Sequence, residues 1–158
     1  MTTPLDGTLF GENQPCFGCA TDHPIGFRLT FERDGGDVVT RFTPSERYQG
    51  PPGIMHGGLV MTLADEIGAW AVITELETFG FTAEMNTKLH KPVRIGIEVE
   101  GRGRIHKPGT RVVGVEVELH QAGQKMATAT LRFVLLDKVG AENMLGRALP
   151  EAWARFAR

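Results

Sequence analysis

Among 158 residues the chain has only two cysteines, Cys16 and Cys19, which stand together as Cys-Phe-Gly-Cys. One such pair supplies half of a tetrahedral zinc site and no disulfide framework. A metal would need further ligands, for which His23, His56 or a second subunit are the sources. A redox dithiol belongs at the start of a helix that follows a strand, whereas this pair follows a loop containing Pro15. The expectation is a turn with two semi-buried thiols and no metal. A large net charge is also missing: the formal value is −2, with acids and bases mixed along the chain. No positive field draws in a nucleic-acid backbone, so no nucleic-acid partner is expected. Residues 1–13 lack a cationic start followed by an apolar run, and no later apolar stretch approaches a membrane span. We therefore read the protein as cytoplasmic, with no membrane partner. There is no GxGxxG, Walker loop, zinc-protease helix or Gly-x-Ser-x-Gly elbow, which removes the commonest nucleotide-binding and hydrolase classes. Internal repeats and low-complexity tracts are absent too.

What remains is one domain's worth of sequence, too short for separate cofactor and substrate domains. With 41% hydrophobic and 23% charged residues, it has the usage of an ordinary folded domain. Residues 1–24 are rich in Gly, Pro, Thr and Asn and read as a loop or turn laid over the domain. Residues 25–137 carry the regular pattern. Phe27 to Glu32 alternates, Asp34-Gly35-Gly36-Asp37 supplies turn residues, and Val38 to Phe42 is β-rich, which together predict a hairpin. Residues 43–53, with three prolines and two glycines, form a loop. Gly58 to Ile73 is apolar on nearly every face, interrupted only by Asp65 and Glu66, and a helix of that kind must be wrapped by other structure. From Phe81 the period is two, over residues 81–93, 97–105, 111–120 and 125–136, which reads as a four-stranded antiparallel meander. Residues 138–158 form an extension with a short surface helix near 151–156. The fold class is α+β, an antiparallel sheet curved around one central helix. A β-sandwich with an incidental helix would leave that helix's outer face unburied.

The chemistry concentrates at the turn into the helix. Gly57 and Gly58 let backbone approach a ligand closely, and their amides lie among those that lack intrahelical partners at the positive end of the dipole. Such amides suit a developing oxyanion; read alone, the glycines only permit tight packing. Asp65 and Glu66 sit mid-helix, where an ionised carboxylate needs a partner or a solvated cavity.

His56-Gly57-Gly58 followed by an acid on later turns resembles the hotdog-fold thioesterases of the phenylacetate-pathway (PaaI-like) type. The resemblance covers about Pro15 to Leu136 and includes the Cys-x-x-Cys and the loop Tyr48-Gln49-Gly50-Pro51. It implies hydrolysis of acyl-CoA thioesters, with the acid nine positions after the His, here Asp65, as catalytic base or nucleophile. Glu66, about 100° further round the helix, then takes a structural ion pair. Thr82 occupies the place of a Ser or Thr that assists the acid and the water, although a strand Thr is ordinarily only a β-former. Asn86, four residues on, is expected on the same strand face. The family's polar residue six positions before the His falls on Gly50, with Gln49 one residue earlier and able to serve if the loop delivers it. His56 itself is expected to scaffold the turn. Lys88, His90, Lys91 and Arg94, with Arg104, His106 and Lys107, are candidates for the CoA phosphates, or simply a solvated basic rim.

Gly57 and Asp65 lie roughly 12 Å apart along one helix axis, too far to reach the same carbonyl. Two helices antiparallel across a two-fold axis would bring them together, and the resemblance likewise implies a homodimer, commonly within a dimer of dimers. No cofactor is required, CoA being part of the substrate. Two rivals are a hotdog dehydratase or hydratase, in which His56 would itself transfer the proton, and a non-catalytic acyl-CoA-binding protein. Trp70, Phe79, Phe81 and Met61 would set the acyl pocket, in a way that periodicity does not decide.

Overall fold

The computed structural model describes residues 1–157. Helix α1 spans Gly57–Leu76. Its residues contain no proline, His56 caps its start, and it ends where Glu77 turns left-handed at φ 48°. Around it curves one sheet of seven strands: β1 Thr3–Pro4, β2 Glu32–Asp34, β3 Asp37–Phe42, β4 Gly80–Leu89, β5 Val99–Lys107, β6 Val112–Gln121 and β7 Gln124–Leu135, in the order β1-β2-β3-β5-β6-β7-β4 with every pairing antiparallel. The α+β architecture read from the sequence, a curved antiparallel sheet on one long helix, is the hotdog fold observed. Among the described residues no helix is long and apolar enough to cross a membrane.

The core lies between α1 and the concave face of the sheet. Leu63, Ile67, Trp70 and Ala71 meet Val115, Val117, Leu119, Leu131 and Phe133, all of them buried. Alternation explains which residues of β6 and β7 point inward. Two glycines of β5 set the closest approach of helix to sheet. A Cβ on Gly103 would lie 2.7 Å from Ile67 Cγ2 and 3.1 Å from the Ile67 carbonyl oxygen, and one on Gly101 would also strike the Ile67 side chain. Glycine inside a strand marks such an approach.

Several elements depart from the sequence reading. The meander does not hold throughout, because β4 pairs with β7 at the far edge while β5 pairs with β3. The strand predicted to Val93 ends at Leu89, and the connection to β5 contains Pro92 and Gly96. It is longer than a hairpin turn and crosses the end of the sheet, so β5 does not pair with β4. The stretch from Phe27 is not a strand until Glu32. Arg28 has φ 54°, and the amides of Phe27 and Leu29 donate to the carbonyls of Phe17 and Gly18. The Cys-Phe-Gly-Cys turn thus claims a backbone that alternation assigned to the sheet.

The C-terminal extension forms helix α2, Lys138–Leu145, and a 3₁₀ helix, Glu151–Phe156. The latter is not a surface helix on its inner side: Phe156 is 2% exposed and packs with Trp153 on Phe10, which also meets Trp70.

Gly103→Ala is expected to cost about 1–3 kcal/mol by overpacking against Ile67, read from the urea unfolding midpoint. Gly101→Ala should cost less, because its added methyl meets the ends of the Ile67 and Leu119 side chains and no backbone atom. Wild-type stability of Gly103→Ala would mean that the glycines do not set the approach.

Candidate active site

The site begins with the segment that delivers the chain into α1. Met55 N donates to Val93 O and Ile95 N to Gly53 O, at 2.8 and 3.1 Å, tying residues 53–55 to 93–95. Gln121, 4% exposed, locks that crossing: its Nε2 donates to the carbonyls of Arg94 and Ile97 and its Oε1 accepts from Arg94 N. Sequence reading had placed Gln121 in a turn, since nothing local distinguishes a buried amide from an exposed one. His56 N donates to Tyr48 O, and the Tyr48 hydroxyl donates to Gly26 O at 2.7 Å, which holds the preceding loop against the domain.

At the helix start, His56 Nδ1 accepts from Gly58 N at 3.0 Å. An amide only donates, so Nδ1 carries the lone pair and the neutral ring has its proton on Nε2. His56 is therefore a capping residue whose second nitrogen points a donor outward. The Gly58 amide is taken by this cap. The Gly57 N–H has no acceptor among the described residues and remains to receive an anion.

Two turns on, Asp65 is half-buried and accepts a 2.7 Å hydrogen bond from the Thr82 hydroxyl. Burial raises its carboxyl above the usual aspartate range, and the Thr82 bond partly opposes that. The fold thus brings Thr82 and Asp65 together. Gly57, Met61 and Asp65 follow one another at intervals of four along one stripe of α1. A Cβ on Gly57 would sit 3.3 Å from Leu89 Cδ1, so the stripe runs along β4, the edge strand of the sheet. Met61 and Leu89 are exposed here, at 38% and 52%, while Phe81, next to inward-facing Thr82, is exposed on the opposite face of β4. Trp70 and Phe79 are not available to an acyl group, because Trp70 stacks on Phe31 and Phe79 packs on Trp153 in the core.

Asn86 does not share a face with Thr82. A bulge between Thr82 and Glu84 inserts one residue, so Thr82 opposes inward-facing Phe133 while Asn86 opposes exposed Thr130. On the inner face the bulge leaves Met85, Thr87 and Leu89. The Thr87 hydroxyl is buried there without a hydrogen-bond partner among the described residues, a polar group that sequence reasoning missed.

Gln49 is exposed, and its Oε1 accepts from Gly53 N at 2.9 Å. Lys88, His90, Lys91 and Arg94 gather at the end of β4 nearest Gly57; His90 contacts Thr128, and Lys91 donates to Gln124. Arg104, His106 and Lys107 belong to a different place, level with Glu116 to Gly114 of β6, and Arg104 pairs with Glu116. The two basic groups are not one patch.

Glu66 makes no ion pair among the described residues. Its Oε1 lies 3.1 Å from Cys16 Sγ, and burial, with Cys16 second, pushes its carboxyl up to about 8. Cys16 is the more acidic thiol, lowered chiefly by a hydrogen bond from Cys19, whose own thiol is raised. Neither His56 nor His23 joins the cysteines: the His23 Nδ1 accepts from Ile25 N.

With this geometry the relatives can be placed. The family model of the thioesterase superfamily matches residues 52–128, from the loop before α1 into β7. Human acyl-coenzyme A thioesterase 13 is 28% identical over 85 residues, covering 53% of this chain and 61% of that protein. A phenylacetic acid degradation-related protein of Ralstonia eutropha shares the fold with TM-score 0.64 and 25% identity, over 68% of this chain and 85% of that one. A thioesterase protein of Streptococcus pneumoniae solved with coenzyme A superposes with TM-score 0.61 at 24% identity, over 65% and 82% of the two chains. Residues 52–128 are thus similar to the thioesterase superfamily, and the chain has the hotdog fold that the phenylacetic acid degradation-related protein shares.

His56→Ala should lower stability by about 1 kcal/mol, the usual cost of losing a cap, and His56→Asn should restore most of it in urea unfolding. An unchanged midpoint for His56→Ala would remove the capping role.

Proposed function

We propose that the chain hydrolyses acyl-CoA thioesters to the free acid and CoA, at two identical sites shared between two copies related by a two-fold axis. The observation that carries this is the placement of Asp65. A half-buried carboxylate, raised by burial and held by Thr82, shares one helix stripe with the unpaired Gly57 amide eight residues away. Roughly 12 Å of helix rise separates them, whereas donor and base must both come within about 3 Å of the reacting atoms.

In the proposed complex the thioester carbonyl oxygen accepts from the Gly57 amide of one copy while Asp65 of the other acts on the carbonyl carbon. Asp65 either takes a proton from the attacking water or attacks directly and forms a mixed anhydride that water opens. In both routes the C–S bond breaks, a C–O bond forms, and a proton from water ends on the CoA sulfur. Thr82 holds the carboxylate, and Gln49 orients the water. Lys88, His90, Lys91 and Arg94 lie near Gly57 and suit the CoA phosphates. Exposed Met61 and Leu89 on the same face, with β4 at an open sheet edge, support pairing of two copies. We read the dimer as half of a dimer of dimers. The human relative's name and the CoA held by the streptococcal protein support the choice of substrate. The Nε2 proton of His56 speaks against the dehydratase reading, in which that ring would have to accept a proton.

The test is release of CoA thiol from phenylacetyl-, benzoyl-, short- and medium-chain acyl-CoA. Asp65→Asn should reduce kcat by about 10²–10⁴-fold without changing the fold, and near-wild-type turnover in that variant would sink the assignment.

Sharing of the site has its own test. Proline is tolerated at the first helical position and has no N–H, so Gly57→Pro removes the donor alone. Each variant should be nearly inactive, but refolded together at equal amounts they should regain about a quarter of wild-type activity, because half the dimers then hold one intact site. No recovery in mixed dimers would place both groups in a single copy.

A further inference from the structure

The Cys-Phe-Gly-Cys turn, which the proposed hydrolysis does not use, lies against the middle of α1. Ligand atoms of Cys16, Cys19 and Glu66 all fall within 4.8 Å of one another. The surrounding structure holds them there. Gly18 presses so closely on Glu66 that any Cβ would collide with its side chain. Gln14, 8% exposed, accepts from Cys16 N at 2.8 Å through Oε1 and points Nε2 at Cys19 Sγ at 3.7 Å. The turn is tied on its other side by Phe27 N to Phe17 O and Leu29 N to Gly18 O. The Cys16 thiol is lowered chiefly by the Cys19 side chain and further by the backbone N–H groups of Cys19 and Gly18. Donors converging on sulfur from several directions suit a thiolate.

Among the described residues, no Lys, Arg or His pairs with Glu66 or either thiol. Three groups that each ionise to an anion thus converge, largely buried, with no protein cation to balance them. A buried charge needs a counter-charge, and the chemistry of the donors says which kind. Two thiolates and one carboxylate select a borderline-soft divalent ion over magnesium or calcium.

We propose that Cys16, Cys19 and Glu66 bind a single zinc ion, with water or a further ligand in the fourth position. Around zinc, sulfur at about 2.3 Å and oxygen at about 2.0–2.2 Å stand close enough together that the observed cluster needs only small side-chain movements. The third donor comes from a helix 50 residues away, not from His23 or His56, where spacing alone had directed the search. The ion would clamp the N-terminal turn to α1 at the residue next to Asp65.

The test reads metal and absorption, not hydrolysis, and is therefore independent of the acyl-CoA assignment. Full-length protein purified without a polyhistidine tag from zinc-supplemented culture should hold about one zinc per chain by elemental analysis. Its cobalt-exchanged form should show thiolate-to-cobalt charge-transfer absorption. Cys16→Ser and Cys19→Ser should each remove at least half of that absorption. Glu66→Gln should keep it while weakening cobalt binding by about 10-fold or more. Where a cysteine variant does not fold, chelator-treated wild type titrated with cobalt gives the same reading, and its thermal midpoint should rise on adding zinc. Folded wild type that takes up neither metal, cobalt bound without thiolate absorption, or a Cys16–Cys19 disulfide in freshly purified chain would each overturn the site.

Discussion

Two adjacent carboxylates at the centre of an apolar helix set the terms for everything packed around it. Asp65 and Glu66 are about 100° apart on the helical wheel, so no single neighbour can compensate both. Asp65 turns to the edge of the sheet, where β4 offers one hydroxyl and the face stays partly open. Glu66 turns the other way, under the N-terminal turn, and meets sulfur. Among the described residues neither finds a guanidinium or ammonium, and burial raises both. The helix thereby holds two poised acids in two different environments, one beside an opening and one beneath a cover.

The cover shapes the rest of the chain. To lie over Glu66, the Cys-Phe-Gly-Cys turn must come within contact of a helix side chain, which only Gly18 permits. To stay there, it takes backbone hydrogen bonds from Phe27 and Leu29 that would otherwise extend the sheet. Further along α1, Phe10 and the C-terminal Trp153 and Phe156 close over Trp70. Burying rings of that size contributes about 1.5–3 kcal/mol each, enough to fix both ends of the chain on the domain.

What was legible in the sequence followed from local pattern. A helix apolar all round, a Gly-Gly turn in the hairpin and period-two strands gave the helix, the hairpin and the sheet that wraps them, with boundaries shifted by a few residues. The pairing of β4 with β7 was not legible, because alternation says which face a residue takes and nothing about which strand lies beside it. A single inserted residue reversed the expected side for Asn86, since a bulge changes phase without leaving a compositional mark. At the site, Asp65 and Thr82 came from the resemblance, which carries a long-range pairing that spacing cannot. The same limit hid the neighbour of Glu66: an acid in a buried helix signals that a partner exists, but the partner is 50 residues away.

The distance between Gly57 and Asp65 has a further consequence for the proposed chemistry. The field of a helix terminus fades within about one turn, so the amide of the same helix does little to stabilise ionised Asp65, two turns on. The carboxylate therefore keeps the raised proton affinity that burial gives it, which is what a base acting near neutral pH requires. In the proposed two-fold dimer, the amide of the other copy would instead be directed at the substrate oxygen, where negative charge develops only during the reaction. A single helix could not supply both groups to one site without shortening the distance between them, and doing so would stabilise the resting carboxylate and weaken it as a base. The proposed sharing of the site between two copies would separate the two effects.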